Sequence, residues 1–531
     1  MRFSALQPGH WLGAIVLVGG VLRFFPIWFG LPYLHARPDE EVAVFHALKM
    51  LEGDLNPHFF HWPSLTFYLF SALFAPISWA HGALAVKGEL SATTFFIVGR
   101  CFVALAGTLT LIVLFRMVRR FAGSTAALLA AAFLAVALLH VRDSHFAMTD
   151  VLMTFLATLS LAVLLRAIDS AASERGADAP RFFALAGLLG GLAASTKYSA
   201  AAILGAMAVS QVVLLRRRHR ELRWESAAPS VAFLLAFGVG FLIGTPYSVL
   251  DFETFDRDVR FTMSHLSGGH GIDLGRGWWY HLRRSLPYGL GVLTFAAAIA
   301  GVAPLLRHYQ PYSIVIAAFA VSFYVSIGSG QTVFFRYVLP LVPLACLSAA
   351  IALTHTAAWI ESHGGVRQRT GIAVLATVIL LPAVVNSVWF DVLLARTDTR
   401  VLAAVWLAPR LTPDMSLHDA TGPYSHLDLA HVRFHPWFFD PSTQSFGHPE
   451  GLTPDWLVLD EAPLRLYSGA PFELRELARQ KYSLVQTFAA TRGRARSAVY
   501  DQQDAFFLPF SRFDTVERPG PTILIYRRIA R

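Results

Sequence analysis

Long apolar runs, separated by short polar stretches, make up the chain as far as about residue 392. A helix needs about 18 to 20 apolar residues to cross a bilayer. Eleven runs are close to that length or longer, namely 11–29, 92–115, 124–141, 149–166, 182–200, 201–215, 227–246, 287–306, 311–328, 337–356 and 371–392. A further run, 63–84, starts at Pro63 and is interrupted by Pro76, so it fits either a twelfth span or a helix along the membrane surface.

The positions of the arginines decide between these two alternatives. Clusters follow five of the runs, at Arg116, Arg119 and Arg120, at Arg166, at Arg216, Arg217, Arg218, Arg220 and Arg223, at Arg307, and at Arg367 and Arg369. Cytoplasmic loops are rich in Lys and Arg, and all these loops can be cytoplasmic when 63–84 does not cross. The pattern therefore predicts eleven spans, a cytoplasmic N-terminus, and an outer location for everything after about residue 393.

The composition agrees with a polytopic helical membrane protein. Only 15% of the 531 residues are charged and 55% are hydrophobic, whereas a soluble protein carries about 25% charge. The net charge of +9 comes with arginines in short loops, so we expect no nucleic-acid partner. Cys101 and Cys346 lie inside apolar runs, which is typical of helix packing and not of a disulfide framework or a zinc motif.

The last part of the chain differs in composition. Residues 393–531 contain Pro, Asp, His and Arg throughout, with short β-like runs at Trp456–Asp460, Tyr482–Phe488 and Thr522–Tyr526. We predict an all-α transmembrane domain, 1–392, whose first outer loop is 30–91, followed by a small extracytoplasmic α/β domain, 393–531.

With this topology, five outward-facing segments carry most of the unusual polar residues. They include His35 to Glu41 and Asn56 to Pro63 in the first loop, His140 to His145 with Asp150, Ser195 to Tyr198, residues 244–286, and Gln331 with Arg336 and Tyr337. Ionisable residues at membrane depth are costly and usually face a cavity or a partner. Asp150 and Lys197 are the clearest cases, although Asp150 could equally cap its helix.

Carboxylates and cations that meet at the outer membrane surface suit glycosyl transfer from a polyprenyl-phosphate sugar. The acceptor hydroxyl needs a general base, and the departing phosphate needs cations. The polyprenyl tail stays in the bilayer, which requires an enzyme embedded there. The sequence contains no P-loop and no glycine-rich dinucleotide turn, in agreement with a lipid donor.

Several sequence pieces, in order over about residues 10–345, resemble bacterial GT-C glycosyltransferases, the group of protein O-mannosyltransferases and lipid A aminoarabinose transferases. The pieces are Arg37-Pro38-Asp39-Glu40, the stretch from His61 to Tyr68, Arg100, the stretch from His145 to Asp150, Thr196-Lys197-Tyr198, and Phe335-Arg336-Tyr337. The resemblance implies the GT-C fold and a multi-pass enzyme of the bacterial inner membrane. An acidic-Lys-Pro-Pro turn of the aminoarabinose enzymes is replaced here by His61-Trp62-Pro63-Ser64, which argues against that sugar.

The resemblance also implies roles for individual residues. Asp39 would be the catalytic base with Glu40 supporting it, and Asp150 would be a second acid, with Asp143 as its competitor. Lys197 and Arg336 would contact the donor phosphate. The residues expected to support them are Arg37, Asp143, His145, His61, Tyr198 and Tyr337. A divalent metal stays open, and no cofactor is assigned.

The reaction expected is a single displacement that inverts the anomeric carbon. A double displacement with Asp150 as nucleophile is the mechanistic alternative. The partners expected are a polyprenyl-phosphate sugar, membrane lipids, and a protein, lipid A, lipopolysaccharide or envelope-glycan acceptor. A transporter or flippase for a lipid-linked glycan is the alternative function, although the sequence lacks the matching halves typical of transporters.

Overall fold

The computed structural model describes residues 8–84, 90–172, 178–217, 224–446, 452–464, 466–492 and 498–529. The chain divides into two compact units. The first unit contains Met1–Ile27 and Val42–Val388, and the second contains Trp28–Glu41 and Trp389–Arg531. The polar turn 28–41, which the sequence analysis placed in the transmembrane domain, is thus grouped with the C-terminal residues.

Helices dominate the chain as far as Leu394. In chain order they are α1 (Pro8–Phe24), α2 (Glu40–Met50), α3 (Leu65–Ala83), α4 (Ala92–Ala135), α5 (Leu138–Asp143), α6 (Thr149–Ala172), α7 (Ala179–Ala194), α8 (Ile203–Arg217), α9 (Trp224–Gly244), α10 (Tyr247–Leu250), α11 (Phe252–Gly268), α12 (Gly277–Tyr280), α13 (Leu286–Leu290), α14 (Val292–His308), α15 (Tyr312–Gly328), α16 (Val342–Gly364) and α17 (Gln368–Leu394). Short 3-10 segments at Tyr198–Ala202 and Phe335–Leu341 precede α8 and α16.

All eleven predicted spans fall on helices, and the chain is a multi-pass membrane protein. In the described residues, six helices are long and apolar enough to cross a membrane, or seven if the pair Gly277–Leu290 and Val292–His308, bent by 115°, is one span. This number is below eleven because α1, α7 and α15 have only 17, 16 and 17 residues. In addition, α4 joins two predicted spans across a kink at Gly123, where φ is 81°.

Two further predictions concern the possible twelfth span and the basic block after α8. The proline-interrupted run 63–84 forms α3. In the described residues, α3 is not among the six helices that are long and apolar enough to cross a membrane. Of the basic block after α8, Arg218, Arg220 and Arg223 lie outside the described residues.

Small residues allow the membrane helices to approach closely. A Cβ atom on Gly187 of α7 would lie 2.2 Å from the carbonyl oxygen of Phe233 in α9, and one on Gly191 would lie 2.1 Å from that of Phe237. Apolar burial alone drives little helix association in lipid, so such close backbone packing supplies the van der Waals contact. Glycine at these positions therefore holds α7 and α9 together.

Arg23, within the first predicted span, is a packing residue of the helix bundle. Its side chain is fully buried and donates to the carbonyl oxygens of Leu134 and Ala135 at 2.9 and 3.0 Å. These carbonyls belong to the last turn of α4, where backbone acceptors have no helical partner. A guanidinium group is well suited to that position because it carries several donors.

The second unit contains a mixed five-stranded sheet. Its strands are β1 (Ser416–Asp419), β2 (His435–Pro436), β3 (Trp456–Glu461), β4 (Tyr482–Phe488) and β5 (Thr522–Arg528), in the spatial order β2-β1-β3-β5-β4, with α18 (Thr399–Leu407) and α19 (Phe472–Lys481). β1 is parallel to β2 and β3, and β5 is antiparallel to β3 and β4. The three predicted strands are confirmed, whereas β1 and β2 were missed because they are four and two residues long.

Candidate functional site

Lys197 and Asp150 form an ion pair in the first unit. Asp150 lies in the first turn of α6, where the helix dipole favours a negative charge, and Lys197 lies in the turn that follows α7. Lys197 Nζ is 2.5 Å from Asp150 Oδ1, and the side chains are 20% and 3% exposed. The carboxylate is therefore buried, while the lysine side chain is partly exposed.

The 3-10 segment Phe335–Leu341 contributes an aromatic ring to the same ammonium group. Lys197 Nζ lies 4.5 Å from the centroid of the Tyr337 ring, within the range of a cation–π interaction. The neighbouring Arg336 is 7% exposed, and its guanidinium carbon lies 4.2 Å from the centroid of the Phe334 ring. The structure thus brings together Asp150, Lys197 and Tyr337.

The first outer loop contacts the turn that contains Lys197, and Tyr198 makes the contact. The Tyr198 hydroxyl donates to the carbonyl oxygen of Phe60 at 2.8 Å, and the next residue, His61, packs its ring against Phe261 with centroids 4.8 Å apart. Tyr198 and His61 therefore support the loop beside Lys197.

The fourth outer segment forms an amphipathic helix, α11, that fixes the same loop. The backbone N–H of Phe60 donates to Asp258 Oδ2 at 2.9 Å, and the Asn56 amide donates to Asp251 Oδ2 at 2.8 Å. The Asn56 amide holds the pKa of Asp251 below its usual range. The sequence analysis did not identify Asp258. The available signal was the helical spacing of apolar and charged residues in 252–268, which is typical of an amphipathic helix.

The fifth segment packs on α11. The Thr332 hydroxyl donates to the carbonyl oxygen of His265 at 2.7 Å, and the rings of His265 and His270 approach with Nε2 and Nδ1 3.2 Å apart. All five predicted outer segments are thus represented in one connected set of contacts within the first unit. Within the described part of the chain, no group of three or more His, Cys, Asp or Glu side chains is placed to hold a metal ion.

Asp143 and His145, in the second outer segment, have packing partners of their own. Arg142 lies 3.2 Å from Asp143 and 5.3 Å from the Phe146 ring centroid. His145 Nδ1 is 3.0 Å from the carbonyl oxygen of Val141, and Nε2 is 2.9 Å from that of Phe25. Burial lowers the pKa of His145 to about 4, so the neutral ring donates to one of these carbonyls.

The acidic turn, Arg37-Pro38-Asp39-Glu40, lies in the second unit. Asp39 precedes α2 and has a φ of 73°, a left-handed conformation that costs a non-glycine residue about 1 to 3 kcal/mol and that aspartate adopts more often than most residues. Glu40, which begins α2, is fully buried. Burial raises the pKa of Tyr424, and the charges of Asp39 and Glu41 raise it further, which places this tyrosine beside the turn.

A buried ion pair anchors the turn within its unit. Arg37 Nη1 lies 2.6 Å from Asp504 Oδ1, and the two side chains are 0% and 2% exposed. The Arg37 guanidinium also lies 5.7 Å from the Phe506 ring centroid. Asp504 and Tyr424 were missed in the sequence analysis because no local pattern marks a partner more than 380 residues away along the chain.

A second cation, Arg400, also packs in this unit. Arg400 pairs with Asp398 at 2.6 Å, donates to the carbonyl oxygen of Tyr424 at 2.5 Å, and lies 4.5 Å from the Tyr33 ring centroid. Burial raises the pKa of Tyr33 to about 12. The acidic turn therefore shares its unit with two buried ion pairs, Arg37 with Asp504 and Arg400 with Asp398.

Known proteins resemble the chain in both sequence and fold. Residues 92–243 match the family described as dolichyl-phosphate-mannose-protein mannosyltransferase, while no curated protein sequence matches the chain. The apo oligosaccharyltransferase of Archaeoglobus fulgidus has a TM-score of 0.54 at 12% identity, covering 86% of this chain and 70% of its own. AglB from that organism, in complex with an inhibitory peptide and a dolichol-phosphate, has a TM-score of 0.52 at 12% identity, covering 92% and 74%.

A bacterial structure covers nearly the whole of both chains. ArnT from Cupriavidus metallidurans bound to undecaprenyl phosphate has a TM-score of 0.51 at 17% identity, covering 97% of this chain and 98% of its own. These likenesses confirm the GT-C fold, with many membrane helices followed by a small C-terminal sheet. The chain is therefore a multi-pass membrane protein with the GT-C fold, similar over residues 92–243 to the dolichyl-phosphate-mannose-protein mannosyltransferases.

Proposed function

We propose that the protein transfers a sugar from a polyprenyl phosphate to an acceptor hydroxyl at the outer face of the membrane. The observation that carries this proposal is the ammonium group of Lys197, held by Asp150 and Tyr337 on a side chain that is 20% exposed. A partly desolvated cation on a membrane helix bundle suits the phosphate of a lipid donor. The likeness to ArnT, whose structure contains undecaprenyl phosphate, supports the same class of donor.

The proposed reaction is a single displacement at the anomeric carbon. Asp39 takes the proton of the acceptor hydroxyl as the oxygen forms its bond to that carbon. The bond from the carbon to the phosphate oxygen breaks, and its electron pair leaves with the polyprenyl phosphate. Lys197 and Arg336 stabilise the negative charge on the phosphate. Attack opposite the leaving group inverts the configuration.

Asp150 and Glu40 have supporting roles in this proposal. Asp150 fixes Lys197 through Oδ1, while its Oδ2 is buried and has no hydrogen-bond partner in the described part of the chain. A buried acceptor without a partner costs about 1 to 3 kcal/mol, which a hydroxyl of the bound donor would recover. Glu40 follows Asp39 at the start of α2 and helps to hold the turn.

The proposal places the enzyme in the bacterial inner membrane with its N-terminus in the cytoplasm. Residues 1–392 form the catalytic transmembrane domain, and 393–531 form an extracytoplasmic domain. The distribution of arginines supports this orientation, because positive loops stay on the cytoplasmic side. Cysteine labelling of the loops in intact cells tests it, and labelling of a residue after 393 from the cytoplasm alone would reverse the topology.

The function is tested with purified protein in lipid and a panel of polyprenyl-phosphate sugars, with an envelope extract as acceptor. Released polyprenyl phosphate is measured for the wild type, Asp39→Asn, and the control Asp54→Asn, which changes an exposed carboxylate of the same outer loop. We expect release by the wild type and the control, and a loss of about 100-fold to 10,000-fold for Asp39→Asn. Equal release by all three proteins would remove Asp39 from the reaction.

The stereochemistry provides a separate test of the mechanism. The anomeric configuration of the product is compared with that of the donor by NMR spectroscopy. Inversion is expected for a single displacement, whereas retention would require a glycosyl-enzyme intermediate and would favour Asp150 as a nucleophile. Transport of a labelled lipid-linked sugar across vesicles without any release would instead support the flippase alternative.

A further inference from the structure

A cavity of about 710 Å³ lies in the first unit between α4 and α6. It is at the far end of α6 from the Lys197 site, because Arg166 in its lining follows Asp150 by 16 residues, which is about 24 Å of helix. The cavity is therefore distinct from the site proposed for catalysis. Its volume is in the range of pockets that hold small ligands.

Four arginines from two helices line this cavity. They are Arg116, Arg119 and Arg120 from α4, and Arg166 from α6. Asp169 is the one carboxylate in its described lining, and it pairs with Arg120 and accepts from the Tyr312 hydroxyl. The lining consequently holds three positive charges in excess, on Arg116, Arg119 and Arg166.

Apolar side chains also line the cavity. Val113, Leu159 and Val163 lie about one to two turns before the arginines of their helices, and Met117 lies between Arg116 and Arg119. A free inorganic anion would gain from the guanidinium groups and nothing from these side chains. A molecule with a phosphate group joined to hydrocarbon matches both parts of the lining.

The aromatic neighbours of the arginines also favour a built site. The Arg166 guanidinium lies 5.4 Å from the Phe182 ring centroid, and that of Arg119 lies 5.9 Å from the Phe115 ring centroid. Phe121 stacks on Tyr312 with a centroid distance of 5.3 Å and an interplanar angle of 14°. The positive-inside tendency accounts for arginines at this end of the helices, but it does not require two helices to direct them into one cavity.

We propose that this cavity binds the phosphate headgroup of an anionic phospholipid from the cytoplasmic leaflet, with the start of an acyl chain against the apolar lining. Arg116, Arg119 and Arg166 bind the phosphate oxygens, and Arg120 keeps Asp169 neutralised. Basic pockets between membrane helices on this side are suited to such headgroups. The inference is independent of the transferase reaction, since it uses none of the residues assigned to that reaction.

The test uses native mass spectrometry of the full chain, purified in detergent and titrated with phosphatidylglycerol or phosphatidylcholine. The cavity variant is Arg116→Gln/Arg119→Gln/Arg166→Gln. The matched control, Arg307→Gln/Arg367→Gln/Arg369→Gln, removes the same charge from exposed arginines of the predicted cytoplasmic loops. Each arginine should contribute about fivefold to affinity, so the cavity variant should bind phosphatidylglycerol about a hundredfold more weakly.

The expected result is that the wild type and the control bind phosphatidylglycerol alike and prefer it to phosphatidylcholine. Equal binding by the cavity variant, or equal affinity for both lipids, would overturn the proposal. Displacement of the lipid by an equal concentration of inorganic phosphate would show a free-anion site instead and would also overturn it. If the triple variant does not fold, the three single variants should each weaken binding about fivefold, and no change in any of them would contradict the site.

Discussion

Two ion pairs, one in each unit, share chemistry but differ in exposure. Arg37 and Asp504 are 0% and 2% exposed at 2.6 Å, whereas Lys197 and Asp150 are 20% and 3% exposed at 2.5 Å. A buried pair is useful mainly for fixing geometry, since desolvation offsets much of its attraction. A pair with one accessible member can interact with a ligand without losing its partner.

This difference assigns a separate task to each pair. The closed pair joins residues 467 positions apart and fixes the backbone two residues before Asp39. The open pair contains a lysine side chain that is partly exposed. We therefore expect that loss of the closed pair affects stability first, and that loss of the open pair affects the donor and the reaction first.

The largest effect is expected from Arg37→Met. Removal of one member of a buried pair takes the Arg37 partner from the buried Asp504 and costs about 3 to 5 kcal/mol of stability. The matched control is Arg492→Met, because Arg492 pairs with Glu517 at 3.2 Å while the side chains are 68% and 36% exposed, and such pairs contribute below about 1 kcal/mol. Thermal melting and protease resistance are measured for both. Similar melting temperatures would show that the Arg37 pair is not an anchor.

Lys197→Met is expected to reduce the reaction and also to lower stability, because the buried Asp150 loses this partner. Loss of a cation that stabilises a leaving phosphate costs about 100-fold to 1000-fold in rate, or about 2.7 to 4 kcal/mol. Lys49→Met, which changes an exposed lysine of the same unit, is the control. The rate of polyprenyl phosphate release and the melting temperature are both measured. A Lys197→Met protein that melts early and reacts normally would contradict the assignment.

Sequence patterns were sufficient for the elements built from local information. The apolar runs predicted the helices, and the β-like runs predicted β3, β4 and β5, because periodicity and run length are local properties. The resemblance in motif order indicated Asp150, Lys197 and Tyr337, which the structure brings together.

The partners that close each site could not be predicted in the same way. The pairing of Arg37 with Asp504 joins distant parts of the chain, and nothing in the local sequence of either residue specifies the other. The break at Gly123, in contrast, lies between the two spans that the apolar pattern predicted, 92–115 and 124–141. Tertiary packing decides the pairing of Arg37 with Asp504, and a single sequence contains no direct record of packing.

Tyr337 sharpens the comparison, because its ring contacts the ammonium group of the Lys197 pair. A cation–π contact contributes about 0.5 to 2 kcal/mol, so Tyr337→Leu should raise the KM for the donor by about 2-fold to 30-fold. Tyr337→Phe keeps the ring and should resemble the wild type. If both variants fail equally, the hydroxyl and not the ring is responsible, and the cation–π assignment is wrong.

The smallest effect is expected at His426, which pairs with Asp419 at 3.7 Å while its side chain is 54% exposed. The Asp419 hydrogen bond raises the pKa of His426. Burial opposes ionisation of Asp419, yet hydrogen bonds from His426 and Thr421 hold its pKa below the ordinary value. The stabilisation by the histidine is present below its unfolded pKa of about 6.5 and is lost as the pH rises through its higher folded value.

We therefore expect His426→Gln to destabilise the protein by less than about 1 kcal/mol, and more at about pH 5.5 than at about pH 8.5. Below about pH 4 the difference should shrink again, because Asp419 loses its charge as the pH falls through its lowered pKa. Melting temperatures at the three pH values measure this, with the exposed His431→Gln as a control that should show one constant difference. A difference for His426→Gln that grows with rising pH would have the wrong sign. It would show that even an exposed pair in the second unit cannot be treated as a simple surface contact, and that the contrast with the Lys197 pair depends on more than exposure.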